Sequence, residues 1–177
     1  VGGRLGYVLF YNTEYYWANP MEALKIWEGG MAFHGGALGV ILAMIVYSLV
    51  RKVPLLRLSD IVCMVVPIGL FFGRTANFIN GELYGRVTDV SWGMVFPHGG
   101  DEPRHPSQLY EAFFEGLMLF VILLILNKIK LLRERYGVIS GAFLCGYAIF
   151  RFGIEYYREP DFHLGFIVQE LSMGQLL

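Results

Sequence analysis

The stretch FHGGALGVILAMIVYSLV, Phe33 to Val50, decides the fold: it runs for 18 residues with one ionisable side chain, His34, near its start. That approaches the roughly 20 apolar residues a helix needs to cross a hydrocarbon core. A second run, IVCMVVPIGLFFG, starts after Asp60 and its helix extends through Arg74 toward Asn80, with Pro67 as a kink that membrane helices tolerate. A third begins at Pro106 and Ser107, residue types suited to a helix start, and reaches Asn127. A fourth covers about Gly137 to Tyr157. Val1 to Tyr11 reads as the tail of a span and Leu164 to Leu177 as the head of another. The expected fold class is all-α, a polytopic transmembrane helix bundle with four full spans, two partial ones and a small outer loop region. Residues 1–177 form a single integral-membrane domain in this reading. With no initiator Met and no signal-peptide pattern, the chain is expected to be an internal fragment lacking an N-terminal part and the end of the last helix.

Composition agrees. Of 177 residues 55% are apolar and 16% charged, and mean hydropathy is +0.50, against about 25% charged in an ordinary soluble domain. Lys+Arg 14 against Asp+Glu 15 leaves a net charge of −1, without the basic surplus that holds nucleic acid. Cys63 and Cys145 lie in separate apolar runs and read as small buried hydrophobes, neither a disulfide framework nor a zinc spacing. Glycines recur four apart, at Gly2 and Gly6, Gly35 and Gly39, Gly69 and Gly73, and Gly137 and Gly141, a spacing that lets membrane helices approach closely.

Basic residues orient the bundle, because short cytoplasmic loops carry an excess of Lys and Arg. Arg51, Lys52 and Arg57 follow the first full span, and Lys128, Lys130, Arg133 and Arg135 follow the third. The other connections hold Lys25, Arg86, Arg104 and Arg158 amid a larger number of acids. Residues 51–58 and 128–136 are therefore placed in the cytoplasm. Arg4, Arg74 and Arg151 remain within or beside apolar segments. A central Arg costs about 2.5–3.5 kcal/mol on insertion scales, so such residues usually face a protein-lined or wet cavity. With this topology Arg4, His34, Arg74, His105 and Arg151, from five segments, fall toward the outer side of the membrane. Tyr147, Arg151 and Glu155 share one helix face, and Arg74 lies near Asn77. Arg151 with Glu155 reads either as a structural ion pair or as part of a site, whereas Arg74 has no acid within one turn and points to a ligand. His98 and His163 read as surface residues.

Arginine presents a rigid fork of donors that matches phosphate, so two of them at outer-leaflet depth point to a phospholipid head group. The spans carry no Asp-rich magnesium motif, no Cys/His cluster, no G-x-S-x-G elbow and no Walker loop. The chemistry that fits is metal-free group transfer without a cofactor, in which Arg stabilises charge on a departing phosphate and a His or Glu serves as base.

The segment GRTANFINGELYGR, Gly73 to Arg86, resembles the signature of the prolipoprotein diacylglyceryl transferases. The resemblance continues in order through GGRLGYVLFYN (2–12), WEGGMAFHGG (27–36), RHPSQLYEAFFEG (104–116), GYAIFRFGIEYYREP (146–160) and SMGQLL (172–177). It implies transfer of the diacylglyceryl group of phosphatidylglycerol to the lipobox cysteine thiol of a preprolipoprotein. The product would be a thioether, with glycerol phosphate released, at the bacterial inner membrane with the site facing the periplasm. By the same resemblance Arg74 and Arg151 match essential arginines that hold the phosphate, and His34 matches the histidine proposed as base. Asn77, Glu82 and Gly85 match further signature positions, and Tyr147 and Glu155 match polar positions beside the second arginine. Arg4 and His105 complete the expected substrate-binding set. The outer loop from Arg86 to Arg104 is short relative to some members.

Two other readings stay open at this level. A lipid or anion transporter would line a path with Arg4, Arg74 and Arg151, but it should carry polar residues through the full membrane depth. An enzyme with Cys63 or Cys145 as acyl-carrying nucleophile lacks a charged sequence neighbour to activate either thiol.

Overall fold

The computed structural model describes residues 1–10, 13–25, 27, 29–159, 166–168 and 171–172. They form two compact units, Val1–Leu58 and Ser59–Leu177. Among the described residues four helices are long and apolar enough to cross a membrane: Phe33–Arg51, Leu55–Asn80, Ser107–Lys128 and Val138–Glu155. They are α3 to α6 below, following α1 (Gly2–Phe10) and α2 (Thr13–Ala18).

In the first unit α1 and α3 meet at glycines. A Cβ on Gly6 would stand 2.7 Å from the Gly35 Cα, and one on Gly39 3.2 Å from the Gly2 Cα, so the missing side chains are what allow the backbones to touch. The Ala32 N–H donates to the Gly3 carbonyl at 2.9 Å. No residue of α3 is buried: in water that would be unstable, and in a bilayer the lipid supplies the apolar surroundings. Lys52, in the left-handed region at φ 54, ends α3.

In the second unit Leu119, Leu123 and Ile139 form the centre of the core, with Met64, Leu126, Phe143 and Phe150 packed around them. These come from α4, α5 and α6. The α4 and α5 backbones approach where a Cβ on Gly116 would lie 2.7 Å from the Phe71 Cβ. At one end of the unit the Asp60 carboxylate, from α4, accepts the Gly137 N–H and the Ser140 N–H and Oγ–H, each at 2.8 Å. These donors open α6, so a neighbouring span caps its N-terminus.

Several expectations are corrected. Helix α4 begins at Leu55, so the loop expected over 51–58 is shorter and Arg57 lies on a helix. Cys63 is half-buried and Cys145 exposed, because an apolar residue of a membrane helix can face lipid instead of a core. The Gly69, Gly73 and Gly141 positions meet nothing within 4 Å of a built Cβ, so close approach holds only for the first two glycine pairs. In the segment expected as the head of a last span, Phe166–Val168 pairs antiparallel with Leu171–Ser172. Aromatic and β-branched residues such as Phe166, Ile167 and Val168 favour strands. His163 and Ser172 to Leu177, apart from Ser172 itself, lie outside the described residues.

Candidate active site

The signature segment ends α4 and then folds over the ends of α5 and α6. Gly81 and Leu83 adopt left-handed conformations, at φ 68 and φ 56. For a leucine this is a strained conformation, of the kind concentrated at functional sites. The Gln108 side-chain amide donates to the Glu82 carbonyl at 2.6 Å, and the Ser107 hydroxyl to the Leu83 carbonyl at 3.2 Å. The Gly85 N–H donates to the His105 carbonyl at 2.9 Å and the Arg86 N–H to the Tyr157 carbonyl at 3.0 Å. Gly85 is needed for this arrangement, since a Cβ there would press on the Tyr157 carbonyl and lie 2.8 Å from the His105 Cβ.

Beneath this loop three arginines and three glutamates converge. The Glu111 carboxylate, fully buried on α5, lies 3.1 Å from Arg74 Nε, 2.8 Å from Arg151 Nη1 and 3.5 Å from Arg158 Nη1. Arg151 Nη2 meets Glu155 at 2.8 Å. Arg74 Nη2 lies 3.6 Å from Glu115, which is also fully buried. Three positive and three negative charges balance, which makes burial of the set tolerable. Glu111 immediately precedes and Glu115 lies within Ala112–Met118, a π-helical turn inside α5; such wide turns are frequent at functional sites.

The pairs differ in quality. Arg151 donates a hydrogen bond to Glu111. Among the described residues neither Glu115 oxygen nor Glu111 Oε2 has a hydrogen-bond partner, so Arg74 meets both acids through charge without a well-aligned donor. Its fork remains able to take another acceptor. A cavity of about 220 Å³ is lined by Tyr110, Phe114, Ile149, Phe150, Gly153, Ile154 and Tyr157, several of them sequence neighbours of the cluster residues.

The structure thus brings Arg74, Arg151 and Glu155 together, and adds Glu111, Glu115 and Arg158. Arg74 has no acid within one turn of its own helix, as its sequence surroundings indicate, but Glu111 and Glu115 reach it from another helix. Glu111 and Glu115 are ionisable residues at i and i+4 within an apolar span, and the cost of a charge at that depth marks them in the sequence as it marks Arg74. Tyr147 stacks on Phe143, one turn before Arg151. Asn77 is half-buried and the Glu82 side chain exposed. His105 Nδ1 lies 3.2 Å from the Tyr110 hydroxyl, with its ring against Tyr157. In the first unit His34 is exposed in the opening turn of α3. Buried Arg4 instead donates to the carbonyls of Glu22, Ala23, Gly29 and Gly30, and so holds the preceding loop in shape. His98 is exposed, as expected.

A bundle of membrane-spanning helices with a buried, charge-balanced arginine and glutamate cluster at one end is an integral-membrane protein with an ionic site at lipid depth. The model of the prolipoprotein diacylglyceryl transferase family matches residues 1–177, and the chain belongs to that family. It is 58% identical over its whole length to the phosphatidylglycerol-prolipoprotein diacylglyceryl transferase of Rickettsia felis, covering 68% of that protein. It is 57% identical to the protein of that name from Paramagnetospirillum magneticum and 53% to the one from Rhodospirillum rubrum, covering 66% and 65% of them. The chain therefore spans about two thirds of the length of these relatives. Membership places it among transferases and disfavours the transporter reading.

Proposed function

We propose that the protein transfers the diacylglyceryl group of phosphatidylglycerol to the lipobox cysteine of a preprolipoprotein, within a single integral-membrane domain of the bacterial inner membrane. The observation that carries the site assignment is the convergence of Arg74 and Arg151, from two spans, on the one carboxylate of Glu111. Two guanidiniums held this way fit the phosphate of a lipid at the membrane surface.

In the reaction the cysteine sulfur of the substrate attacks the glyceryl carbon that bears the phosphate ester. The S–C bond forms as the C–O bond breaks, and the electron pair leaves on glycerol phosphate. A thiol is only partly ionised at neutral pH, and His34 takes its proton. Negative charge grows on the departing phosphate, where Arg74 and Arg151 stabilise it more in the transition state than in the ground state. Glu155 aligns Arg151, and Tyr147 borders it on the same helix face. Asn77, Glu82 and Gly85 shape the loop over the phosphate, His105 supports that loop, and Arg4 acts through the loop it holds. The cavity lined by Phe114, Ile149, Phe150 and Ile154 is apolar, which suits lipid carbon. No cofactor or metal enters this scheme, and the site faces the periplasm.

The test is transfer of labelled glyceryl from phosphatidylglycerol to a lipobox peptide by the full-length protein in detergent. Label on the peptide cysteine, lost in folded Arg74→Ala and Arg151→Ala variants, is the expected result. A folded protein that leaves the peptide unlabelled and moves lipid between vesicles instead would overturn the reading.

A further inference from the structure

Among the buried charges at this end of the second unit Glu115 stands apart. Glu111 contacts three arginines, and Glu155 holds Arg151 at 2.8 Å. Glu115 is fully buried, yet it meets Arg74 only at 3.6 Å and neither of its oxygens is hydrogen-bonded among the described residues. Its partner Arg74 likewise meets Glu111 and Glu115 without an aligned hydrogen bond among the described residues. The pair is held loosely, in a place where an unpaired buried charge is costly.

Charge counting gives this a consequence. Arg74, Arg151 and Arg158 balance Glu111, Glu115 and Glu155. A phosphodiester anion placed on Arg74 brings one negative charge more, and it competes for the same guanidinium edge that Glu115 occupies. The charged groups facing Glu115 are Arg74 from α4, Glu111 from its own helix, Arg151 from α6 and Arg158 beyond it, with the Tyr147 phenol close by. None of them can supply a further positive charge, because each arginine is already protonated.

We propose that Glu115 is a placeholder anion on Arg74, displaced by the phosphate of the incoming lipid, and that it becomes neutral by taking one proton from the medium as the lipid binds. The residue is thus a positioning group: it keeps the Arg74 fork compensated while the site is empty and releases it to the substrate. No covalent bond changes in this step. One phosphodiester anion and one proton enter together: with Glu115 neutral the cluster carries one net positive charge, and the bound lipid's single negative charge brings the total back to zero. This rests on the proposed phosphate role of Arg74. Since binding takes up a proton, affinity falls as pH rises, by up to about tenfold per pH unit on the alkaline side.

Calorimetry of the full-length protein in detergent, titrated with short-chain phosphatidylglycerol in buffers of different ionisation enthalpy, counts the protons directly. In buffers well above neutral pH, where Glu115 is ionised in the empty site, the wild type is expected to take up close to one proton per lipid, and Glu115→Gln, which mimics the neutral acid, to take up none and to bind more tightly. Binding without proton uptake by the wild type, equal uptake by Glu115→Gln, or no binding of the anionic lipid would each overturn the inference. The wild-type count decides the matter even if the variant fails to fold. Peptide transfer, measured separately, distinguishes failure of this step from failure of the transferase reading: a protein that labels the peptide but binds lipid without a proton keeps its function and loses the placeholder.

Discussion

Glu111 accepts contacts from Arg74, Arg151 and Arg158, which reach it from α4, α6 and the segment after α6. Replacing it with Gln preserves shape and removes one charge, leaving three guanidiniums facing two carboxylates in a buried place. Breaking one partner out of a buried ionic set typically costs about 3–5 kcal/mol. Glu111→Gln is therefore expected to lower the thermal midpoint in detergent and to abolish transfer, whereas Glu111→Asp keeps the charge and recovers part of the stability. The outcome would contrast with that expected for Glu115→Gln, four residues away, which binds lipid more tightly. If the two Gln variants behaved alike in a thermal melt and in lipid affinity, the different contacts of the two acids would not be functional.

Helix α5 sets where these acids meet Arg74, and it does so through a glycine. A Cβ on Gly116 would lie 2.7 Å from the Phe71 Cβ and 2.8 Å from its Cα, and Arg74 follows Phe71 by three residues while Glu115 precedes Gly116 directly. Gly116→Ala must push α4 from α5 or distort one of them, at about 1–3 kcal/mol as for other overpacked cores. Transfer should fall further than stability does, since the ion pairs of Arg74 lengthen; transfer unchanged in a folded Gly116→Ala protein would show that the helix spacing is not critical. At this scale the sequence was legible in part. The spans were readable because an apolar run of bilayer length has few alternatives, and Arg74 and Arg151 because a guanidinium there is costly. The partners of Arg74 were not readable, since a contact between helices leaves no trace in i, i+3 or i, i+4 spacing. Nor was the π-helical turn at Ala112–Met118, whose residues look like any apolar helix. Arg158 lies past the last apolar run and reads as a loop charge, yet it is buried and meets Glu111.

For the whole molecule the charge asymmetry of the loops and the position of the ionic cluster make one joint statement about orientation. The cluster lies at the end of the second unit formed by the C-terminus of α4, the N-terminus of α5 and the C-terminus of α6. The basic connection Lys128 to Arg135 leaves from the other end of α5, where Asp60 caps α6. If short basic loops stay in the cytoplasm, the cluster must face the opposite surface, where a cysteine emerging with a preprolipoprotein signal segment could reach it. A background with Cys63 and Cys145 changed to Ala makes this measurable, and its retained transfer would also dispose of either thiol as a nucleophile. In that background a membrane-impermeant maleimide applied to spheroplasts should label Asp101→Cys, in the loop that follows α4, and spare Lys130→Cys until the membrane is opened. Labelling in the reverse order would turn the site toward the cytoplasm and break the link between loop charge and catalytic side. Labelling of both from outside would mean that the segment between them does not span the membrane at all.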